Sequence, residues 1–105
     1  MVTVRLYARV SSGRQAQEGT IASQIAAIEN QISMDGHKLL NEYKFIDNGS
    51  NIIRPGLEKL RDKIAEGRID KVYIHSPDRL SRKYAYQMVL LEEFKKLGVE
   101  VIFLN

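Results

Sequence analysis

The sequence predicts an α/β fold: a mostly parallel sheet of at least four strands with helices flanking it. Three observations carry this. Short apolar runs of β-branched and aromatic residues alternate with longer stretches whose apolar residues recur every three or four positions. Glycine or proline marks most of the junctions. The resulting order, β-α-β-α-β-α-β, is the one that parallel strands joined by helical crossovers require.

The elements follow in chain order. Val2, Val4 and Leu6 alternate with Thr3, Arg5 and Tyr7, giving a first strand that ends near Arg9. A polar loop with Ser11, Ser12, Gly13 and Gly19 comes next. Ile21, Ile25, Ile28 and Ile32 then lie on one helical face, with Thr20 as the expected N-cap and Gly36 as the stop. Leu39 to Ile46 reads as a second strand leaving through Asp47-Asn48-Gly49-Ser50-Asn51. Pro55-Gly56 opens a second helix, with Leu57, Leu60 and Ile64 inward and Gly67 at its end. Lys71 to His75 is a short third strand, broken by Ser76-Pro77. A third helix is expected over Lys83 to Leu97, with Met88, Leu91 and Phe94 inside and Gly98 beyond it. Val99 to Leu104 is a fourth strand.

At 105 residues the chain forms one small domain, expected to span 1–105. With 44% hydrophobic residues it has material for a core, and its 28% charged residues are of mixed sign. A net charge of +3 suits a polyanionic partner without demanding one. Cysteine is absent, which removes disulfides, thiolate chemistry and zinc fingers. No apolar run reaches the roughly 18 residues that a membrane span needs. The N-terminus has no signal-peptide pattern, so the expected compartment is the cytoplasm. The last strand is apolar and is followed by no helix to cover the sheet, so the chain reads as a fragment of a longer protein.

In a parallel sheet the carboxyl ends of the strands share one edge, and ligands bind there. The loops at that edge hold Ser11, then Asp47 and Arg54, then Asp78, Arg79 and Arg82. Ser11 is the candidate nucleophile; a serine hydroxyl needs its proton removed and its developing charge stabilised. Arg9, Arg79 and Arg82 are the candidate phosphate clamp, since a guanidinium offers five donors in a planar fork and stays charged. Arginine at a helix start opposes the helix dipole, which calls for an anion nearby. Asp47 and Asp78 are candidates to orient arginines or move a proton, and Gln15 and Gln24 to bond phosphate or hold the serine loop. Each has a plainer reading. Ser11 and Ser12 suit a turn, Asp78 a helix cap, and Arg54 an ordinary surface. His75 is read as structural, and Tyr84 and Tyr86 as packing or surface residues.

These segments resemble the catalytic domain of the serine site-specific recombinases, the resolvase/invertase family. The resemblance rests on Tyr7-Ala8-Arg9-Val10-Ser11 with Gln15, on Gln24, and on Asp47-Asn48-Gly49-Ser50. It continues through Arg54-Pro55-Gly56-Leu57 to Asp78-Arg79-Leu80-Ser81-Arg82, in order across nearly the whole chain. Gln17-Glu18-Gly19-Thr20 with Ser23-Gln24 is similar to the large serine recombinases of phages and integrative elements. The resemblance implies a three-layer, flavodoxin-like catalytic domain acting on double-stranded DNA without cofactor or metal. It implies that Ser11 attacks a phosphodiester to give a 5′-phosphoserine link and a free 3′-hydroxyl. Arg9, Arg79, Arg82 and Arg54 bind the phosphate in that scheme, Asp78 positions the arginines, and Gln15, Gln24 and Asp47 support them. The family acts as a dimer on each site and a tetramer across two sites, with a dimer contact that uses a long helix after the fourth strand and a further short strand. This chain is expected to lack both, and to lack the separate DNA-binding region. The fragment alone is therefore expected to be a monomer or weak oligomer, inactive in recombination. Two other readings stay open: a flavodoxin-like module holding a phosphate-bearing ligand on the Ser11–Gln15 loop, and a catalytically silent relative.

Overall fold

A computed structural model describes residues 3–10, 15–37, 44–48, 55–67, 69–81 and 83–104. Its elements are β1 (Val4–Val10), α1 (Gln15–Met34), β2 (Lys44–Asn48), α2 (Pro55–Ala65), β3 (Lys71–Ile74), α3 (Pro77–Leu80), α4 (Tyr84–Lys96) and β4 (Glu100–Phe103). The strands form one sheet in the order β2-β1-β3-β4, and every neighbouring pair is parallel. The α/β class and the parallel sheet agree with the alternation in the sequence.

The chain steps from β1 outward to β2, then back across β1 to β3, then on to β4. Crossovers of one handedness therefore put α1 on one face and α2 and α4 on the other. The core divides in that way. Val4, Leu6, Ala8 and Tyr73 pack with Ile28 and Ile32 of α1. Tyr7, Val72 and Ile74 pack on the opposite face with Leu57, Leu60 and Ile64 of α2, Leu80 of α3, and Leu90 and Phe94 of α4. Alternate residues of β1 thus serve different layers, as the period of two along a strand dictates. Each fully buried aliphatic side chain contributes about 1.5–3 kcal/mol.

Helix ends follow the glycines. At the end of α1 the His37 N–H donates to the Ile32 carbonyl and the Gly36 N–H to the Ser33 carbonyl, both at 3.0 Å. Gly36 holds φ at 80°, a left-handed conformation that costs a residue with a Cβ. Gly98 closes α4 in the same manner, with Val99 donating to Phe94 and Gly98 to Lys95.

Four sequence expectations change. Thr20 is not an N-cap, because α1 begins at Gln15 and Thr20 lies inside it. The helix formers Gln15 to Glu18 extend the pattern backward, past Gly19. The second strand runs on to Asn48, while residues 39–43 of its expected start lie outside the described residues. Met88 is exposed, and Leu90 takes the buried position in α4 beside Phe94. The segment after β3 is a one-turn helix, α3, with Pro77 at its start.

Polar contacts on each face join neighbouring elements. On the α2–α4 side, the Arg61 guanidinium donates to both Glu93 carboxylate oxygens at 2.8 and 2.7 Å and to Glu58 at 3.2 Å. This bonding holds Glu93 below the usual carboxylate range and pushes Arg61 further up. On the α1 side, the Tyr73 hydroxyl donates to Asp35 at 2.6 Å. That bond lowers the Asp35 carboxyl, and burial with the adjacent carboxylate raises the Tyr73 phenol. Among the described residues no helix is long and apolar enough to cross a membrane.

Candidate active site at the carboxyl edge of the sheet

The direction of strand addition reverses between β1 and β3, and in open parallel sheets ligands bind beyond the carboxyl ends at such a point. Arg9 stands there, next to the last residue of β1, and is 3% exposed. It shares the strand face of Tyr7, which packs with α2, α3 and α4. Its Nε donates to the Arg79 carbonyl oxygen at 2.9 Å. A buried arginine from β1 is thereby joined to the backbone of the one-turn helix that follows β3, across seventy positions of sequence.

Gln24 holds the other side of Arg9. β3 pairs with β1 only as far as Tyr7, opposite Ile74. Beyond that point Gln24 of α1, 3% exposed, takes the place of a strand partner. Its Oε1 accepts the Arg9 N–H at 3.2 Å, and its Nε2 donates to the Arg9 carbonyl at 3.3 Å. Both Arg9 backbone groups are satisfied by one side-chain amide, as buried peptide groups must be.

Arg79 is fixed by its neighbours in the chain. Its N–H donates to the Ser76 carbonyl at 3.0 Å, and the Ser81 N–H closes the turn on Pro77 at 3.1 Å. Leu80, fully buried, anchors the turn in the core. Ser81 is nearly buried; its Oγ accepts the Lys83 N–H at 3.2 Å. The Gln87 side chain, on the first turn of α4, donates from Nε2 to the carbonyls of Pro77 at 3.0 Å and Ser81 at 3.1 Å.

The structure therefore brings Arg9, Gln24 and Arg79 together. Asp47 is the β2 register partner of Arg9, which puts its backbone at the same edge. Asp78 lies in α3, and Gln15 is the first residue of α1. The side chains of Asp47, Asp78 and Gln15 lie outside what the structure describes. Ser11, Arg54 and Arg82 lie outside the described residues altogether. Ser11 follows Arg9 by two positions, Arg54 directly precedes α2, and Arg82 directly follows Ser81. His75 is half-buried just past β3, while Tyr84 and Tyr86 are exposed on α4.

Gln87 and the turn α3 are absent from the sequence reading. A single glutamine on a helix carries no periodic or spacing signal, and its two acceptors belong to a neighbouring element. An apolar groove lined by Met88, Val89, Glu92, Glu93, Lys96 and Leu97 runs along α4. Among the described residues no three His, Asp or Glu side chains gather in a group able to hold a metal ion.

A family model described as the resolvase N-terminal domain matches residues 4–105. The transposon Tn3 resolvase of Escherichia coli is 34% identical over 99 residues, covering 94% of this chain and 48% of its own length. A protein of Bacillus subtilis (strain 168), provisionally named a DNA recombinase, is 37% identical over 106 residues, covering 97% of this chain and 20% of its own length. The chain thus spans half or less of these relatives. Among solved structures, the N-terminal catalytic domain of TP901-1 integrase superposes with a TM-score of 0.86 at 30% identity, covering 98% of this chain and 78% of that one. The C-terminal catalytic domain of ISC1926 TnpA, an IS607-like serine recombinase, gives 0.88 at 29% identity, covering 99% of this chain and 68% of that one.

Proposed function

The chain belongs to the family of resolvase N-terminal domains, and from that premise we propose that it is the catalytic domain of a longer serine site-specific recombinase. The carrying observation is the hydrogen bond from Arg9 Nε to the Arg79 carbonyl at the strand-order reversal, with Arg9 two positions before Ser11 in the chain. It supports a site in which arginines from two separate motifs face one anion.

In this reading the Ser11 Oγ attacks a DNA phosphorus. An Oγ–P bond forms, the P–O3′ bond breaks, and the leaving oxygen departs as a 3′-hydroxyl after taking up a proton. The serine proton passes to an acceptor at the site. One phosphodiester replaces another, so the bond energy is retained and resealing needs no ATP. Arg9, Arg79, Arg82 and Arg54 neutralise the charge that grows on the non-bridging oxygens in the transition state. Asp78, Gln15, Gln24 and Asp47 hold those groups in register. The substrate is double-stranded DNA in a bacterial cell, at the nucleoid, and the longer protein assembles as dimers that pair into tetramers.

The test uses the full-length protein and DNA from the ends of the element that encodes it. Wild type is expected to leave a protein–DNA adduct that resists denaturation, and Ser11→Ala is expected to leave none while folding and binding DNA normally. An adduct of undiminished yield from Ser11→Ala would falsify the nucleophile assignment.

A further inference from the structure

Resting on the recombinase reading, we propose that Gln87 is a positioning residue for the reaction, acting through the turn that carries Asp78 and Arg79 and leads into Arg82. The observation is the double donation of Gln87 Nε2 to the Pro77 and Ser81 carbonyls, at 3.0 and 3.1 Å. These carbonyls bracket α3: Pro77 is its first residue and Ser81 its C-cap. One amide group therefore spans the turn from end to end and ties it to the first turn of α4.

A four-residue helix needs such a brace. Only about one internal hydrogen bond holds a single turn, and helix nucleation is unfavourable. Here the Ser81 N–H already bonds the Pro77 carbonyl at 3.1 Å. Gln87 adds a second donor to that same carbonyl and caps the Ser81 carbonyl, which the turn cannot satisfy itself. Gln87 is well placed to do so, because its own N–H begins α4 by donating to Lys83 at 2.9 Å. Lys83 is in turn bonded through its N–H to Ser81 Oγ. The α3–α4 junction is thus closed by side chains at Ser81 and Gln87.

The consequence reaches the site through Arg79. Its carbonyl is the acceptor for Arg9 Nε, so a turn that slackens shifts the acceptor that aims that N–H. Positions that must hold a reacting phosphate lose about 100-fold in rate when displaced by about 1 Å. Gln87 acts through the backbone that carries Arg79.

The experiment measures covalent adduct formation by the full-length protein at saturating DNA, alongside DNA affinity and thermal unfolding. Gln87→Met keeps the length and removes both donors. It is expected to slow adduct formation at least 10-fold with affinity within about two-fold of wild type, a split that simple unfolding does not give. Gln87→Glu gives a second readout that survives if the methionine variant folds poorly. Its carboxylate faces two carbonyls and donates to neither, whereas its acid form regains one O–H donor. Its rate relative to wild type is therefore expected to rise as the pH falls from 8 to 5.5. A wild-type rate in Gln87→Met, or a pH profile for Gln87→Glu parallel to wild type, overturns the positioning role while Ser11→Ala still abolishes the adduct. An adduct that survives Ser11→Ala instead overturns the recombinase reading, and the inference with it.

Discussion

Arg9 at the carboxyl edge and Arg61 on the α2–α4 flank are held by opposite kinds of acceptor. Arg61 faces the carboxylates of Glu93 and Glu58, in a bidentate geometry with Glu93. Arg9 Nε is aimed by a peptide carbonyl, and its backbone is clasped by the neutral amide of Gln24. A carboxylate both orients an arginine and offsets its charge, whereas a peptide carbonyl orients one N–H of a guanidinium. The flank contact pairs two helices through charge, and the edge contact joins a strand to the turn after β3 through the backbone. Buried charge at the edge lowers stability relative to an apolar residue there, an expense met by Leu57, Leu60, Ile64, Leu80, Leu90 and Phe94 on the same face.

The sharpest way to break this contrast is at Arg79. Arg79→Ala is expected to slow covalent adduct formation by about 100- to 1,000-fold, the usual loss for one charge-stabilising group. A rate within a few-fold of wild type would remove Arg79 from the phosphate clamp. Gln24→Leu comes next. It leaves the Arg9 N–H and carbonyl buried without their amide partner and is expected to lower stability by about 1–3 kcal/mol in urea denaturation. An unchanged midpoint would mean that Arg9 finds other partners when Gln24 is lost.

Glu93→Gln tests the flank. The pair is part-exposed, so the expected loss is about 0.5–1 kcal/mol at neutral pH. Because the folded state holds the Glu93 carboxyl below its ordinary range, its contribution is present above about pH 4.3 and fades as the pH falls through the lowered value. Wild type should therefore lose more stability between pH 7 and pH 3 than Glu93→Gln does. Equal losses would assign the acid sensitivity elsewhere, with Asp35 beside Tyr73 the next position to vary. The smallest effect belongs to Val89→Lys on the outer face of α4, where 58% exposure limits the change to within about 0.5 kcal/mol. A larger loss would show that this face packs against something in solution.

The two regions also differ in how far the sequence discloses them. Gly36 and Gly98 mark their helix ends in the sequence because only a left-handed residue closes those turns cheaply. The spacing of Ile25, Ile28 and Ile32 reveals the inward face of α1, and Leu57, Leu60 and Ile64 that of α2. Thr20 misleads, because capping residues are also tolerated within a helix and nothing local forbids a start at Gln15. Met88 misleads because it and Leu90 are equally apolar, and only contact with Phe94 and the sheet selects between them. Arg9, Gln24 and Arg79 are legible as candidates from their motifs, but their mutual bonds are not. The Arg61–Glu93 pair is invisible in sequence, since its partners sit on helices separated by β3 and α3.

The sequence by itself determined the alternation of strand and helix, the apolar faces and the places where helices stop. Those depend on side-chain period and backbone freedom, which act over a few residues. Tertiary structure alone decided the strand order β2-β1-β3-β4. It also decided that Gln24 completes the backbone of Arg9 beyond the last β3 pair, and that Gln87 braces both ends of α3. Those contacts join groups on separate elements. Their strength depends on distances of about 3 Å, which the packed layers set and the local sequence does not encode.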